Sequence, residues 1–138
     1  MNKSRMTEAA YVSTTAALSI AEIEAGDPPW IVIGSFLDDW RRATTAQREL
    51  MVCDPVVVPT SPEYRRWAAL LAAIVEWLSH EEDPSVSVPH WTSDPGFVLP
   101  EPWFLVPGLR MRLHQLVDSP APFRLRNIFT DKGVLSRA

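Results

Sequence analysis

Apolar residues recur at helical spacing along most of the chain. The clearest stripe follows Ser61, Pro62 and Glu63, which suit the cap, the first position and the positive dipole end of a helix. Its members are Trp67, Leu70, Leu71, Ile74, Trp77 and Leu78. Further helices are predicted over residues 15–25, 30–42, 44–51 and 109–118. The pattern therefore predicts a mainly α protein formed by residues 1–138 as a single small helical domain, with residues 1–10 frayed.

Residues 83–108 break this periodicity. Six prolines fall between Asp83 and Pro107, together with large apolar residues such as Trp91, Phe97 and Trp103. Proline removes a backbone donor and interrupts helices, whereas large apolar groups favour burial. We therefore expect a long proline- and aromatic-rich loop that its own side chains pack against the helices. A basic C-terminal segment, residues 109–138, follows it.

Composition narrows the function classes. The 138 residues carry a net charge of −4. Because Cys53 is the single cysteine, the chain cannot form an internal disulfide, and we expect Cys53 to be a small residue of the core. No apolar run has the length of a membrane span, and the N-terminus lacks the features of a signal peptide. We therefore expect a cytoplasmic protein without membrane contact. Overall acidity disfavours direct nucleic-acid binding, which depends on neutralising phosphates.

Candidate chemistry centres on three histidines. His80 and His90 flank an acidic turn, but the spacing is not that of a zinc protease, in which two histidines share a helical turn. Arg110 and His114 are separated by three residues, fewer than in the Arg-to-His motif of small helical ribonucleases. A metal-dependent hydrolase or nuclease using His80, His90 or His114 remains one alternative. The sequence favours a non-enzymatic protein with no catalytic residue, cofactor or metal.

Charge is unevenly distributed and suggests a docking surface. From Gly108 onward the chain has six basic and two acidic residues, whereas residues 1–107 carry a net charge of −8. In residues 122–129, two arginines alternate with apolar residues, so that the arginines would point outward while the apolar residues anchor the segment. The predicted partner-binding residues are Phe123, Arg124, Arg126, Phe129, Arg110 and Arg112. The alternatives are a docked structural tail and a homo-oligomeric structural protein.

Three motifs together resemble a family of small uncharacterised bacterial proteins. They are IGSFLDDW at residues 33–40, LPEPWF at residues 99–104 and PFRLRNIF at residues 122–129, followed by the closing VLSRA. Members carry a similar FLDDW or FLDEF helix, a PWF loop and an FRxRxIF tail, and the resemblance spans residues 18–138. Members of that family are often encoded beside a nucleotidyltransferase-like protein, an arrangement like that of toxin–antitoxin pairs. The resemblance implies an antitoxin-like or accessory partner of such an enzyme, and none of the motifs is catalytic.

Overall fold

The computed structural model describes residues 12–131, 133 and 135, so the predicted frayed residues 1–10 lie outside it. Within this part of the chain the protein is mainly α and forms one small domain, which confirms the predicted fold class. Its helices are α1 (Ala16–Glu24), α2 (Pro29–Arg42), α3 (Thr45–Cys53), α4 (Pro62–Glu81), α5 (Leu109–Asp118) and α6 (Ala121–Arg124). Two short strands, β1 (Trp103–Phe104) and β2 (Ile128–Phe129), form a parallel pair. None of the described helices is long and apolar enough to cross a membrane.

Local sequence signals account for the helix boundaries. The Thr15 hydroxyl accepts a hydrogen bond from the Leu18 N–H and caps α1. Thr44 and Gln47 form a reciprocal capping box at the start of α3. Proline occupies the first position of α2 and of α4, where its missing N–H costs no helical hydrogen bond. The predicted helix from Pro62 to about His80 is therefore confirmed, ending at Glu81.

The core is built around α4. Every residue from Ala68 to Val75 is buried, and α4 contacts α1 on one side and α6 on another. The core extends to α2 through Ile33, Phe36, Leu37 and Trp40. Trp67 and Trp77, which the stripe placed in the core, are half-buried at its edge. Trp67 lies between Trp30 and Trp103 in edge-to-face contacts, with ring centroids 5.3 and 5.1 Å apart.

An ion pair joins α3 to the turn that follows α4. Asp83 accepts hydrogen bonds from the Thr45 hydroxyl at 2.9 Å and from Arg48 at 3.2 Å, and its other oxygen accepts one from the Ser85 N–H. The Thr45 hydroxyl, followed by Arg48, holds the pKa of the Asp83 carboxyl below its ordinary value, although partial burial opposes this shift. This contact therefore stabilises the fold most when Asp83 is ionised.

The proline-rich segment between α4 and α5 is packed onto the helices. It contains two short 3₁₀ turns, His90–Ser93 and Pro95–Phe97, both of which contact α4. Trp91 donates its indole N–H to the Val52 carbonyl at 2.7 Å, and Phe97 is buried. Beyond these turns β1 pairs with β2, aligning Trp103 with Ile128. The segment therefore ties the C-terminal residues to the core.

Candidate protein-interaction surface

The orientation of α5 is set by one buried polar side chain, Gln115. Its amide nitrogen donates to the carbonyls of Val106 and Met111, each at 2.9 Å, and its amide oxygen accepts from the Val106 N–H at 3.1 Å. Gln115 is fully buried and is the one buried residue of α5. Because these bonds satisfy both ends of the amide, they hold the Gln115 side of the helix against the protein.

The opposite side of α5 is apolar and faces outward. At 100° per residue, its four aliphatic side chains fall within one stripe about 100° wide, centred opposite Gln115. They are between 45 and 82% exposed. We call this stripe the α5 apolar face, and it consists of Leu109, Leu113, Leu116 and Val117. An amphipathic helix normally turns such a stripe toward the core. In α5 the apolar stripe faces solvent and the polar Gln115 faces the protein.

Arginines border the α5 apolar face on both sides. By helical rotation Arg110 lies beside Val117 on one flank and Arg112 lies beside Leu116 on the other, and both are exposed. The Arg112 guanidinium lies 5.3 Å from the ring centroid of Phe104, within the range of a cation–π contact. Phe104 in turn stacks on Phe129, with ring centroids 5.0 Å apart. The structure therefore links two predicted partner-binding residues, Arg112 and Phe129, through one aromatic pair.

Arg124 adds a third positive charge at the C-terminal end of α5. Its guanidinium donates to the carbonyl of Ser119 at 2.8 Å and to that of Val117 at 3.3 Å, while the residue as a whole is exposed. Positive charge at this end of a helix is favourable, because the last carbonyls carry the negative end of the dipole. Arg124, Arg110 and Arg112 are called the arginine rim below.

Arg126 does not belong to this surface. It is only 5% exposed, and its guanidinium pairs with Glu76 of α4 at 2.7 Å. It also donates to the carbonyls of Pro122 and Thr92 at 2.6 and 2.7 Å. The prediction that both arginines of the run point outward is wrong for Arg126. Its guanidinium joins α4, the proline-rich segment and the residues around α6.

The error has a local cause in the backbone conformation of the run. Alternation predicts an extended chain with a period of two. Instead, α6 covers Ala121–Arg124, and Leu125, which caps it, has helical backbone angles. In this turn Phe123 is fully buried, whereas Leu125, expected as an anchor, is exposed. The prediction of Phe123 as a partner-binding residue is therefore wrong, because its side chain lies in the protein core.

The three histidines lie on separate elements. His80 is 3.9 Å from Glu76 on α4, and His114 is 3.6 Å from Asp118 on α5. His90 begins a 3₁₀ turn and is exposed. Across residues 12–131, no three His, Cys, Asp or Glu side chains are grouped closely enough to hold a metal ion. The described residues therefore do not add support for the alternative of a metal-dependent hydrolase or nuclease.

Cys53 is exposed, so its prediction as a core residue is wrong. It lines a groove of about 580 Å³ together with His90 and Glu49. The thiol donates to the Leu50 carbonyl at 3.5 Å, a bond typical of a cysteine in the last turn of a helix. The groove therefore brings a cysteine and a histidine to one surface without a described contact between them.

Comparison of the chain with models of known protein families, with curated proteins and with solved structures finds no match. The family resemblance of the three motifs stays a prediction. The observations that bear on function are thus those of the surface itself. Sequence reasoning named its arginines but missed its aliphatic residues, because a helical stripe is ordinarily assigned to the core. The polar Gln115 opposite the stripe is the signal that could have indicated the outward orientation.

Proposed function

We propose that this protein is a non-enzymatic interaction module that binds another protein through the α5 apolar face and the arginine rim. The family resemblance supplies the class of partner, a nucleotidyltransferase-like enzyme encoded beside it, for which this chain would act as an antitoxin-like or accessory subunit. The observation that carries the proposal is the outward-facing stripe of aliphatic side chains on a helix anchored by Gln115.

The energetics of this stripe favour a binding role. Full burial of one leucine or valine side chain stabilises a protein by about 1.5–3 kcal/mol. In the isolated chain the four residues of the face forgo most of this contribution, because they remain largely exposed. A contiguous exposed apolar patch with a polar border is typical of a protein-interaction site. Burial of these side chains by a partner would therefore stabilise the complex.

The arginine rim supports the same role through its charge. Arginine is enriched at protein interfaces, where its planar guanidinium pairs with carboxylates in a bidentate geometry. Exposed positive charges also accelerate encounter with an acidic partner, and salt screens this effect. We therefore expect the association rate to fall as ionic strength rises, while mutation of the apolar face mainly raises the dissociation rate.

Co-expression with the product of the adjacent gene tests the proposal. The affinity of the purified proteins is measured by isothermal titration calorimetry for wild type and for Leu113→Glu. A matched control is Leu18→Glu, since Leu18 is an exposed leucine on α1, at 51% against 62% for Leu113. Leu113→Glu removes a leucine that the complex would bury and places a carboxylate in the interface, so it should weaken binding by about tenfold or more.

The control variant should bind as wild type does, and both variants should retain the helical circular dichroism spectrum. Equal affinity for wild type and Leu113→Glu would show that the partner binds elsewhere. Absence of any complex with the neighbouring product would refute the proposed partner class. A dimer or larger assembly of this chain alone that Leu113→Glu dissociates would favour the homo-oligomeric alternative.

A further inference from the structure

We infer that the partner element recognised by this surface is an acidic amphipathic α-helix, an inference that rests on the proposed interaction function. Leu109, Leu113 and Leu116 follow each other at i, i+4 and i+7 on the outward side of α5. Side chains at this spacing form an apolar stripe along the helix, and such a stripe is the pattern through which two helices pack side by side. The occupant best matched to the α5 apolar face is thus another helix.

Backbone pairing offers no comparable site on this surface. An extended peptide binds by adding a strand to an open sheet edge, and each described strand here is only two residues long. The backbone polar groups in the middle of a helix such as α5 are already bonded within the helix. Recognition at this surface must therefore use side chains, as in complexes where a helix packs on a helix.

Charge determines the chemistry of that helix. Arg110 and Arg112 border the α5 apolar face on opposite flanks, and Arg124 lies at its C-terminal end. The carboxylate of α5 itself, Asp118, lies on the side of the helix away from the face and is 3.6 Å from His114. A helix that packs on the stripe consequently meets positive charge along both of its edges. Glutamate or aspartate residues flanking its own apolar stripe would pair with these arginines.

A second copy of this chain is a poorer occupant. If two α5 helices packed face to face about a two-fold axis, arginine flanks would meet arginine flanks in either the parallel or the antiparallel arrangement. Like charges brought together at an interface oppose association. The acidic residues that could compensate them belong mainly to residues 1–107, outside this helix. Charge complementarity therefore favours a different, acidic protein.

A lipid surface is also a weaker match. The four aliphatic side chains of the face hold about as much hydrocarbon as one acyl chain, and a single acyl chain anchors a protein only marginally. Three tryptophans that could otherwise strengthen an interfacial anchor, Trp30, Trp67 and Trp103, pack against one another. We therefore treat membrane binding as an outcome that the experiment must distinguish.

Two designed peptides test the inference directly. Both are hydrocarbon-stapled helices with leucines at i, i+4 and i+7, and they differ only in carrying glutamates or lysines on the two flanks of the leucine stripe. Binding to the full chain is followed by fluorescence anisotropy at peptide concentrations up to about 1 mM, the range of weak interfaces. We expect the glutamate peptide to bind at least tenfold more tightly than the lysine peptide.

Charge reversal in the protein should reverse this preference. The double variant Arg110→Glu with Arg112→Glu, which reverses the charge on both flanks, should favour the lysine peptide. The control Arg42→Glu, an exposed arginine on α2, should leave the preference of wild type unchanged. Leu113→Glu should abolish binding of both peptides. Equal affinity for the two peptides, or failure of both to bind, would overturn the inference. Circular dichroism of each variant confirms that it is folded.

The other occupants are tested with the same proteins. Light scattering after size exclusion reports a dimer, and sedimentation with phosphatidylcholine–phosphatidylserine vesicles reports lipid binding. Self-association or vesicle binding that Leu113→Glu abolishes would overturn the inference in favour of that occupant. If the neighbouring enzyme binds through Leu113 while the glutamate peptide does not, the inference fails and the proposed function stands. If the peptide binds and the enzyme does not, the proposed partner class fails instead.

Discussion

Replacement by alanine should destabilise the protein far more at Arg126 than at Arg124, although the two arginines are only two positions apart. Arg126 is buried and joins Glu76, Pro122 and Thr92 through its guanidinium. Arg124 is exposed. Its hydrogen bonds within the described part of the chain go to two carbonyls at the C-terminal end of α5. The pair therefore offers a matched comparison of one residue type in two environments.

The magnitude for Arg126→Ala follows from what the substitution leaves behind. Removing one partner of a buried ion pair costs about 3–5 kcal/mol, because the remaining charge loses its compensation. Glu76 keeps 20% side-chain exposure, which allows some hydration, but two carbonyl groups also lose their donor. We therefore expect the free energy of unfolding to fall by about 3–4 kcal/mol. Arg124→Ala should cost no more than about 1 kcal/mol.

Urea denaturation followed by circular dichroism measures both values. A double-mutant cycle with Glu76→Gln isolates the interaction between Arg126 and Glu76, and a coupling energy above about 1 kcal/mol is expected for residues in one network. A loss below 1 kcal/mol for Arg126→Ala, or no coupling with Glu76, would refute the assignment of this arginine as a structural link. A large loss for Arg124→Ala would show that both arginines act as structural residues.

Three further predictions concern other contacts of the fold. Gln115→Leu should lower the free energy of unfolding by about 1–2 kcal/mol, because the N–H and carbonyl of the half-buried Val106 lose their partners. Similar stability of the variant in urea denaturation would contradict the anchoring role of Gln115. Asp83 has a pKa in the folded state below its ordinary value of 3.8, chiefly through the Thr45 hydroxyl, so its stabilising contribution is present above that pH and is lost as pH falls below it. The melting temperature of Asp83→Asn should accordingly vary less with pH than that of wild type between pH values of about 6 and 3, and parallel curves would argue against this contribution. Trp77→Ala should cost about 2–3 kcal/mol in thermal unfolding, less than truncation of a fully buried tryptophan, because Trp77 is half-buried; an unchanged melting temperature would show that its contacts do not stabilise the fold.

The helices and most of their boundaries could be predicted because their determinants are local. The period of apolar residues, Pro62 at the start of α4 and Thr44 with Gln47 at the start of α3 all act within a few residues of chain. Such signals specify which elements form. They did not place Phe123, which was predicted to bind a partner but lies in the core.

The face of each element that meets the core was decided by contacts with residues outside that element. The α5 stripe could equally have faced inward, and the bonds of Gln115 to the backbone of Val106 turned it outward. Arg126 could equally have faced solvent, but its guanidinium is buried because it pairs with Glu76, fifty positions earlier in the chain. A periodic pattern defines a face but contains no information about what covers it. The sequence by itself determined the elements and their amphipathic faces, whereas only the tertiary structure determined which arginines and which leucines remain available to a partner.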